Sequence, residues 1–261
     1  MENYNIIDEI RNEMIKKIGN EMHHYTKFEN FYKIIDSKQL WIGDTRFMND
    51  KREILPYIEL NFNDNNKIKK DIIDYYYKNG VYAFCSSLDY DDYLKWMSYG
   101  GNGTGICITF NIQKICKYLG YDFILSIPSY DRNFNKMIDD YNKNIFNDEY
   151  HKINIDSAYR TILTSAALFK NNSFESENEC RLCTTNNENI SFKLVGNIIK
   201  RFKVIDLKDS NNIKFEDTIE KITLGPQCKQ DIDILSYFLD EKGYSGLIKK
   251  ITTSKCEIRK D

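Results

Sequence analysis

The 261-residue sequence contains few residues that interrupt secondary structure, with only 3 prolines and 12 glycines. This scarcity excludes long proline-rich or glycine-rich linkers between domains. No run approaches the roughly 20 consecutive apolar residues that a transmembrane helix needs, so no membrane partner is expected. The N-terminal stretch lacks the apolar core of a signal peptide and mixes acidic with basic residues, unlike a transit peptide. These absences predict a cytoplasmic protein.

The sequence also lacks a strong excess of charge of either sign. Its formal net charge is -2, so no global positive field attracts the protein to nucleic acid. The seven cysteines are odd in number and scattered among apolar neighbours, which favours reduced thiols in the core over a disulfide framework. Hydrophobic residues make up 41% and charged residues 29%, a balance typical of globular proteins that excludes global disorder.

Apolar periodicity predicts a mixture of strands and helices without the regular alternation of a doubly wound nucleotide-binding fold. The fold class we expect is therefore α+β. No repeat or linker is found, so we interpret residues 1–20 as an N-terminal helix and residues 21–261 as a single domain. The expected strands are 21–26, 38–44, 81–87, 104–110, 179–185, 190–195, 201–207, 219–225 and 246–254. The expected helices are 5–19, one from Phe28, one that follows the loop at 45–53, 65–80, a short one within 89–103, 131–150, 156–170 and 231–243.

Two familiar motifs are present in weak form. The stretch GGNGTG (100–105) leads into a strand instead of a helix N-terminus, so a tight turn is favoured over a phosphate-binding loop. Cys180 and Cys183 form one CxxC without a second pair, and positions three apart on a strand face opposite ways, which argues against zinc. Trp96 and Tyr99 beside the glycines are either core aromatics or a stacking platform.

An acidic stretch, FESENECR (174–181), is a candidate site. If the chain is extended there, Glu175, Glu177, Glu179 and Arg181 project to one face. Packed carboxylates repel one another unless solvent, cations or a ligand compensates them. The alternative is an exposed acidic loop that leads into a strand.

Two of the three histidines are adjacent, in the stretch EMHHYTKF (21–28). Strand alternation places His24 and Thr26 on one face and His23 and Tyr25 on the other. A histidine on a buried strand is more often a satisfied core residue than a site residue. Composition and spacing alone therefore leave these polar clusters without an assigned function.

The order of the short motifs resembles the bacterial family of proteins known as DUF2971. The matching stretches are HYTKFENFYKIIDSKQLWI, FMNDKRE, FCSSLDYDDYLKWMSYGGNGTGICITF, KNNSFESENECRL, ITLGP and TTSKCEIR, which span residues 22 to 259. Within FMNDKRE, Asn49, Asp50 and Glu53 match an N-D-x-x-E element. This element is interpreted as capping a helix, with lining of a cleft as the alternative.

The opening strand and helix are also similar to the start of DNA-targeting ADP-ribosyltransferase toxins. Members of the ADP-ribosyltransferase superfamily use a His or Arg on an early strand, an aromatic or Ser-bearing second strand, and a late Glu. The resemblance implies a mixed or antiparallel split sheet with flanking helices and NAD as the cofactor. It further implies catalysis by Glu179, with Glu177 as its companion, and cofactor binding by His24, Tyr25, Thr26, Ser86, Trp96, Tyr99 and Arg181.

The expected activity is NAD-dependent ADP-ribosyl transfer, or NAD hydrolysis, by a bacterial toxin or phage-defence effector. The acceptor would be nucleic acid or protein, and a neutralising antitoxin or a defence-system protein would be a partner. Cleavage of the nicotinamide–ribose bond builds positive charge on the sugar, which a nearby carboxylate stabilises. One alternative is a non-catalytic binding module of a defence or regulatory system. Another is a metal-dependent nuclease that uses Asp50, Glu53, Glu177 and Glu179, whereas the ADP-ribosyltransferase interpretation needs no metal.

Overall fold

The computed structural model describes residues 12–50, 53–128, 140, 142–147 and 154–257. Residues 12–18 form α1, and short 3-10 helices lie at Thr45–Phe47, Ile145–Asn147, Asn172–Glu177, Phe215–Thr218 and Ser245–Lys250. The remaining labelled helices are α2 (Phe28–Ser37), α3 (Leu55–Asn61), α4 (Asn66–Asn79), α5 (Tyr93–Ser98), α6 (Ile112–Leu119), α7 (Ile155–Ala166) and α8 (Ile232–Glu241). In the described part of the chain, no helix is long and apolar enough to cross a bilayer.

All ten described strands belong to one sheet. They are β1 (Glu21–Thr26), β2 (Gln39–Asp44), β3 (Tyr82–Ser87), β4 (Ile106–Asn111), β5 (Ile124–Ser126), β6 (Glu179–Thr184), β7 (Ile190–Val195), β8 (Ile198–Asp206), β9 (Ile219–Leu224) and β10 (Ile251–Thr253). The main path runs β10-β9-β4-β1-β3-β2-β8-β7, and β6 with β5 branches from β3. Only β9 and β10 pair in parallel among these strands. The expected α+β class, with one sheet and flanking helices, is confirmed.

The sheet divides at β3. One edge of β3 pairs along its whole length with β6. The other edge pairs with β1 only at Ser87 and with β2 only at Tyr82 and Ala83. Along residues 84–86 this edge has no strand partner among the described residues. Because β1 and β2 diverge from the two ends of β3, a gap opens between them in the middle of the sheet.

The two faces of the sheet carry separate apolar cores. The larger core contains Met22 and Cys180 together with helices α2, α6 and α8. The second core contains Ala83 and Cys183 and is covered by α3, α4 and α7. Cys180 and Cys183 therefore lie on opposite sides of β6, as strand alternation predicts. The described cysteines are all free thiols.

The GGNGTG stretch forms a tight turn that joins α5 to β4, as expected. Gly101 and Gly103 have φ values of +60° and +81°, which glycine adopts without steric cost. A Cβ atom at Gly105 would lie 2.2 Å from the carbonyl oxygen of Thr26 and 2.7 Å from that of Gly100. The glycines therefore allow close packing of the backbone against the end of β1.

Most predicted elements are confirmed to within a few residues, and the differences have physical causes. Residues 174–177 are not extended: they lie in a 3-10 helix, and Asn178 is left-handed with φ +42°. Glu175 and Glu177 therefore do not share a strand face with Glu179. Helix α6 and strand β5 were not predicted, and residues 246–250 are helical before the closing strand. The helix expected at 5–19 is described only over 12–18, most of the one expected at 131–150 lies outside the described residues, and the division between residues 1–20 and 21–261 stays a prediction.

Replacement of Gly105 by alanine tests the turn. The added methyl group would overlap backbone atoms that cannot move independently, so Gly105→Ala should lower the free energy of unfolding by about 3 kcal/mol. At Gly43, an added Cβ would meet only Met48 Cε at 4.0 Å, so Gly43→Ala should change stability by no more than about 1 kcal/mol. Urea denaturation of both variants measures the difference, and equal midpoints would contradict the proposed packing.

Candidate functional site

A cleft of about 870 Å³ opens where the sheet divides. This volume lies in the range of about 300–1,000 Å³ typical of small-molecule sites. Its lining comes from β1, β2 and β3, from α2 and α5, from Glu177 in the 172–177 turn, and from the β7–β8 hairpin. The gap between β1 and β2 therefore creates a candidate site.

His24 bridges the gap in the sheet. Its Nδ1 atom lies 2.8 Å from the carbonyl oxygen of Cys85, on the edge of β3 that has no strand partner there. A carbonyl oxygen only accepts hydrogen bonds, so Nδ1 carries the proton. Burial lowers the pKa of His24, although the bond to Cys85 opposes the shift. The ring is therefore neutral at pH 7, and its Nε2 is an acceptor. It stacks on Phe84 with ring centroids 4.4 Å apart.

His23 and Tyr25 point to the opposite face, as strand alternation predicts. His23 Nδ1 lies 3.0 Å from Thr109 Oγ1. Tyr25 donates from its hydroxyl to the carbonyl oxygen of Asp89 and meets the ring of Trp96 edge-on, 4.9 Å between centroids. Trp96 is 0% exposed and does not line the cleft. Trp96 therefore has no free ring face on which a nicotinamide could stack.

Thr26 and Ser86 contribute hydroxyl groups to the cleft lining. Thr26 Oγ1 accepts a hydrogen bond from Asn30 Nδ2 at 3.1 Å. The buried Ser86 Oγ has no hydrogen-bond partner in the part of the chain that the structure describes. A buried hydroxyl without a partner costs free energy, which a bound polar ligand would recover.

Glu177 and Glu179 converge on the ammonium group of Lys170. Lys170 Nζ donates to Glu177 Oε2 and lies 2.5 Å from Glu179 Oε2. The backbone around Glu177 is fixed by hydrogen bonds from Ser87 Oγ to its carbonyl oxygen at 3.0 Å and from Lys95 Nζ to the carbonyl oxygen of Ser176 at 2.6 Å. The two carboxylates are thus brought together by a turn and a shared cation instead of a common strand face.

Glu179 is held by a second cation from its own strand. Arg181 Nε and Nη2 donate to the Glu179 oxygens at 3.1 and 2.5 Å, because residues two apart on β6 share a face. Arg181 is fully buried and does not line the cleft. Burial opposes ionisation of Glu179, but Arg181 and Lys170 outweigh it and hold the pKa of this carboxyl below its ordinary value. Glu179 is therefore ionised and closely paired.

Glu53 completes this charged group. The sequence interpretation placed Glu53 with Glu177 and Glu179 only in the nuclease alternative, and it did not predict that Arg181 joins them. The Glu53 Oε1 atom lies 2.7 Å from Arg181 Nη2. Burial raises the pKa of Glu53, and Arg181 and Lys170 counteract the shift. The N-D-x-x-E pattern was the available signal, but it was assigned to helix capping.

The capping assignment is wrong for α3. That helix begins at Leu55 with Ile54 at its N-cap, and no side chain caps it. Asn49 and Asp50 instead line the cleft. The hydroxyl of Tyr99, which also lines the cleft, donates to Glu177 Oε1. Burial is the main cause that raises the pKa of Tyr99, so this phenol is a neutral donor.

Metal binding receives no support from the described residues, in which no group of three or more His, Cys, Asp or Glu side chains is arranged to hold an ion. Glu53, Glu177 and Glu179 are directed at Lys170 and Arg181. The protein's own cations thus occupy positions that a divalent metal would need.

The model of the family described as Protein of unknown function (DUF2971) matches residues 95–182, about one third of the chain. The matched segment contains Tyr99, Lys170, Glu177, Glu179 and Arg181, and it supports the resemblance to that family. It does not include His24 or Glu53. No curated protein matches the chain, and no solved structure does.

Removal of the Arg181 charge should strongly destabilise the fold. Arg181→Met leaves Glu53 and Glu179 buried beside each other without their guanidinium partner, which should cost about 3–5 kcal/mol. This loss of stability should be smaller at acidic pH, because protonation removes the charges of the Glu53 and Glu179 carboxyls. The exposed pair Arg160–Asp156 provides the control, because Arg160→Met should cost less than about 1 kcal/mol. Urea denaturation at neutral and acidic pH distinguishes these outcomes, and similar losses in both variants would contradict this account.

The two histidines of β1 predict an acid-sensitive fold. Burial, reinforced by nearby Lys221, lowers the pKa of His23 from 6.5 to about 4. Between these pH values the unfolded chain binds a proton that the folded chain does not, so stability falls as the pH drops from about 6.5 to 4, by about 2–3 kcal/mol. Burial also lowers the pKa of His24, so this residue likewise makes the folded state less stable as the pH falls. His23→Gln should reduce the dependence, measured as urea midpoints against pH, and an unchanged slope would contradict the assignment.

Proposed function

We propose that the cleft binds NAD and that the protein is an NAD-dependent ADP-ribosyltransferase with nucleic acid or protein as acceptor. The observation that carries this proposal is the convergence of His24 from β1 with Glu177 and Glu179, which are far apart from it in sequence, on one cleft of about 870 Å³. A cleft of this size accommodates a dinucleotide. The split of the sheet at β3 supports the same assignment, since the resemblance to ADP-ribosyltransferases implies a divided sheet.

The inner part of the cleft suits a ribose. The neutral imidazole of His24 accepts a hydrogen bond at Nε2, since its Nδ1 proton is engaged by Cys85. The unpartnered hydroxyl of Ser86 and the hydroxyl of Thr26 supply further polar contacts. Tyr99, which also lines the cleft, is the aromatic side chain that takes the stacking role expected of Trp96 or Tyr99. We assign these residues to cofactor binding and Arg181 to positioning of Glu179.

The chemistry requires a carboxylate near the ribose carbon that bears nicotinamide. When the C–N bond breaks, its electron pair leaves with nicotinamide, and the sugar becomes an oxocarbenium-like cation. The acceptor nucleophile then bonds to the same carbon and loses its proton. A fixed carboxylate stabilises the cation at the moment it forms, with no need to reorganise solvent.

Glu177 is better placed than Glu179 to face this cation. The side chain of Glu177 is 19% exposed, against 5% for Glu179. Among the described residues, Glu177 has one cationic partner, Lys170, whereas Glu179 has both Lys170 and Arg181. We therefore propose that Glu177 contacts the sugar and that Glu179 fixes Lys170 in the position that orients Glu177. This reverses the ranking implied by the family pattern.

The second candidate function is a non-catalytic binding module. The mutual neutralisation of Glu179, Lys170 and Arg181 favours it, since such buried ion pairs also serve a purely structural purpose. This alternative predicts that a carboxylate-to-amide change at Glu177 has no effect on NAD.

Incubation of the purified chain with NAD and measurement of nicotinamide release tests the proposal. We expect release by the wild type and a loss of at least about 100-fold in Glu177→Gln, because an amide does not stabilise a developing positive charge in the same way. Glu179→Gln should also lose activity, with a larger effect on stability. His24→Ala should weaken NAD binding more than it slows the bound reaction, measured by calorimetry and by saturation kinetics.

Glu175→Gln is the matched control, because Glu175 lies in the same 3-10 turn but is exposed and outside the cleft lining. It should retain full activity. Absence of both NAD binding and nicotinamide release in the wild type would refute the enzymatic proposal, and equal activity of the Glu175 and Glu177 variants would refute the assigned role of Glu177.

A further inference from the structure

A β-hairpin beside the cleft carries an unusual set of exposed apolar residues. It consists of β7, a turn at Gly196 and Asn197, and the first residues of β8. Among the described strands, β7 ends the sheet and pairs only with β8. The hairpin tip, residues 194–199, therefore borders solvent.

Both faces of this tip are apolar. Leu194 and Ile199 are cross-strand partners on one face, and they are 67% and 66% exposed. Val195 and Ile198 are partners on the other face, and they are 40% and 57% exposed. Exposed apolar groups that cluster in this way mark interaction sites instead of ordinary surface. A groove on a protein partner would cover one face of the ribbon, whereas the interfacial region of a bilayer surrounds an inserted tip on all sides.

The charges next to the tip are positive. Lys193 and Lys200 lie directly opposite each other across the two strands. Lys193 Nζ lies 5.6 Å from the centroid of the Trp41 ring, and Lys200 Nζ donates to the carbonyl oxygen of Phe47 at 3.4 Å. The sequence contains no acidic residue between Glu188 and Asp206. Two positive charges therefore flank the apolar tip, and anionic groups from outside the chain would complement them. A lysine on the terminal strand also disfavours pairing of β7 with β7 of a second copy.

We propose that the β7–β8 hairpin docks the protein on an anionic lipid surface. The four aliphatic side chains of the tip enter the interfacial region, and Lys193 and Lys200 contact the phosphate groups of the headgroups. This attachment is peripheral and requires no membrane-spanning segment. Leu194 and Val195 also line the cleft, so docking of the hairpin brings the cleft close to the lipid surface.

Flotation of the full chain with lipid vesicles tests the proposal. Wild-type protein should float with phosphatidylcholine vesicles that contain phosphatidylglycerol, and much less with phosphatidylcholine alone, because the lysines need anionic headgroups. Added salt should weaken the binding. The pairs Leu194→Gln/Ile199→Gln and Val195→Gln/Ile198→Gln should each reduce the partition coefficient by about tenfold or more, since each removes two inserted side chains.

Ile234→Gln/Tyr237→Gln is the matched control. These two side chains on α8 are 64% and 67% exposed but lie outside the hairpin, so their replacement should leave vesicle binding unchanged. Lys193→Gln/Lys200→Gln should abolish the preference for phosphatidylglycerol while retaining the fold. Circular dichroism of every variant identifies any loss of structure, and Phe192→Trp provides a further signal, because its fluorescence should shift to shorter wavelength on binding.

Three results would overturn the proposal. The first is a wild-type chain that does not bind anionic vesicles. The second is a loss of vesicle binding in only one of the two variant pairs, because an inserted tip uses both of its faces. The third is self-association that the tip variants abolish without any lipid binding, which indicates a second copy. Since none of these assays contains NAD, their outcome is independent of the proposed enzymatic function.

Discussion

The organisation of the molecule depends on how one edge of β3 is shared. Two strands, β1 and β2, pair with opposite ends of that edge, and the backbone between them would be left with exposed hydrogen-bonding groups. His24 supplies a side-chain donor to Cys85 at that point, so the gap is stabilised at the carbonyl of Cys85 instead of being closed by a strand. The cleft between the strands and the position of the His24 proton on Nδ1 both follow from this arrangement.

A second constraint is the charge of Arg181, which is buried next to the carboxylates that line the cleft. Arg181 is completely buried, and such a cation is tolerated only when carboxylates compensate it. Glu53 and Glu179 both pair with Arg181. Lys170 pairs with Glu179 and also with Glu177, which lies at the surface of the cleft. The network therefore determines the position of its most exposed carboxylate. Arg181 has two carboxylate partners, whereas Glu177 has one cationic partner among the described residues, so the less compensated charge lies at the cleft.

Sequence reasoning predicted the elements better than their assembly. Apolar runs rich in β-branched and aromatic residues identified β3 and β4. The helix expected at 65–80 also ends where predicted, with Gly80 at the C-cap of α4. The strand β5 is only three residues long, and α6 begins directly after β4, so neither stands out as a separate pattern. The relation of Glu177 to Glu179 was misjudged because a 3-10 turn and a left-handed Asn178 replaced the expected extended chain. Neither the 3-10 turn nor the left-handed residue has a distinctive periodicity in the sequence.

The contacts of Glu53 show why the site could be predicted only in part. Its partner Arg181 is more than a hundred residues away, and the N-D-x-x-E pattern also fits a helix start. The spacing of residues within one helix or strand shows which of them are neighbours in that element. The charged network and the gap at β3 depend on how separate strands pair in the sheet, which local spacing does not show. The same reasoning applies to the β7–β8 hairpin, whose alternating pattern predicts strands but not their position at the end of the sheet. This terminal position leaves both faces of the hairpin tip exposed beside the cleft, and the exposed tip is both apolar and cationic.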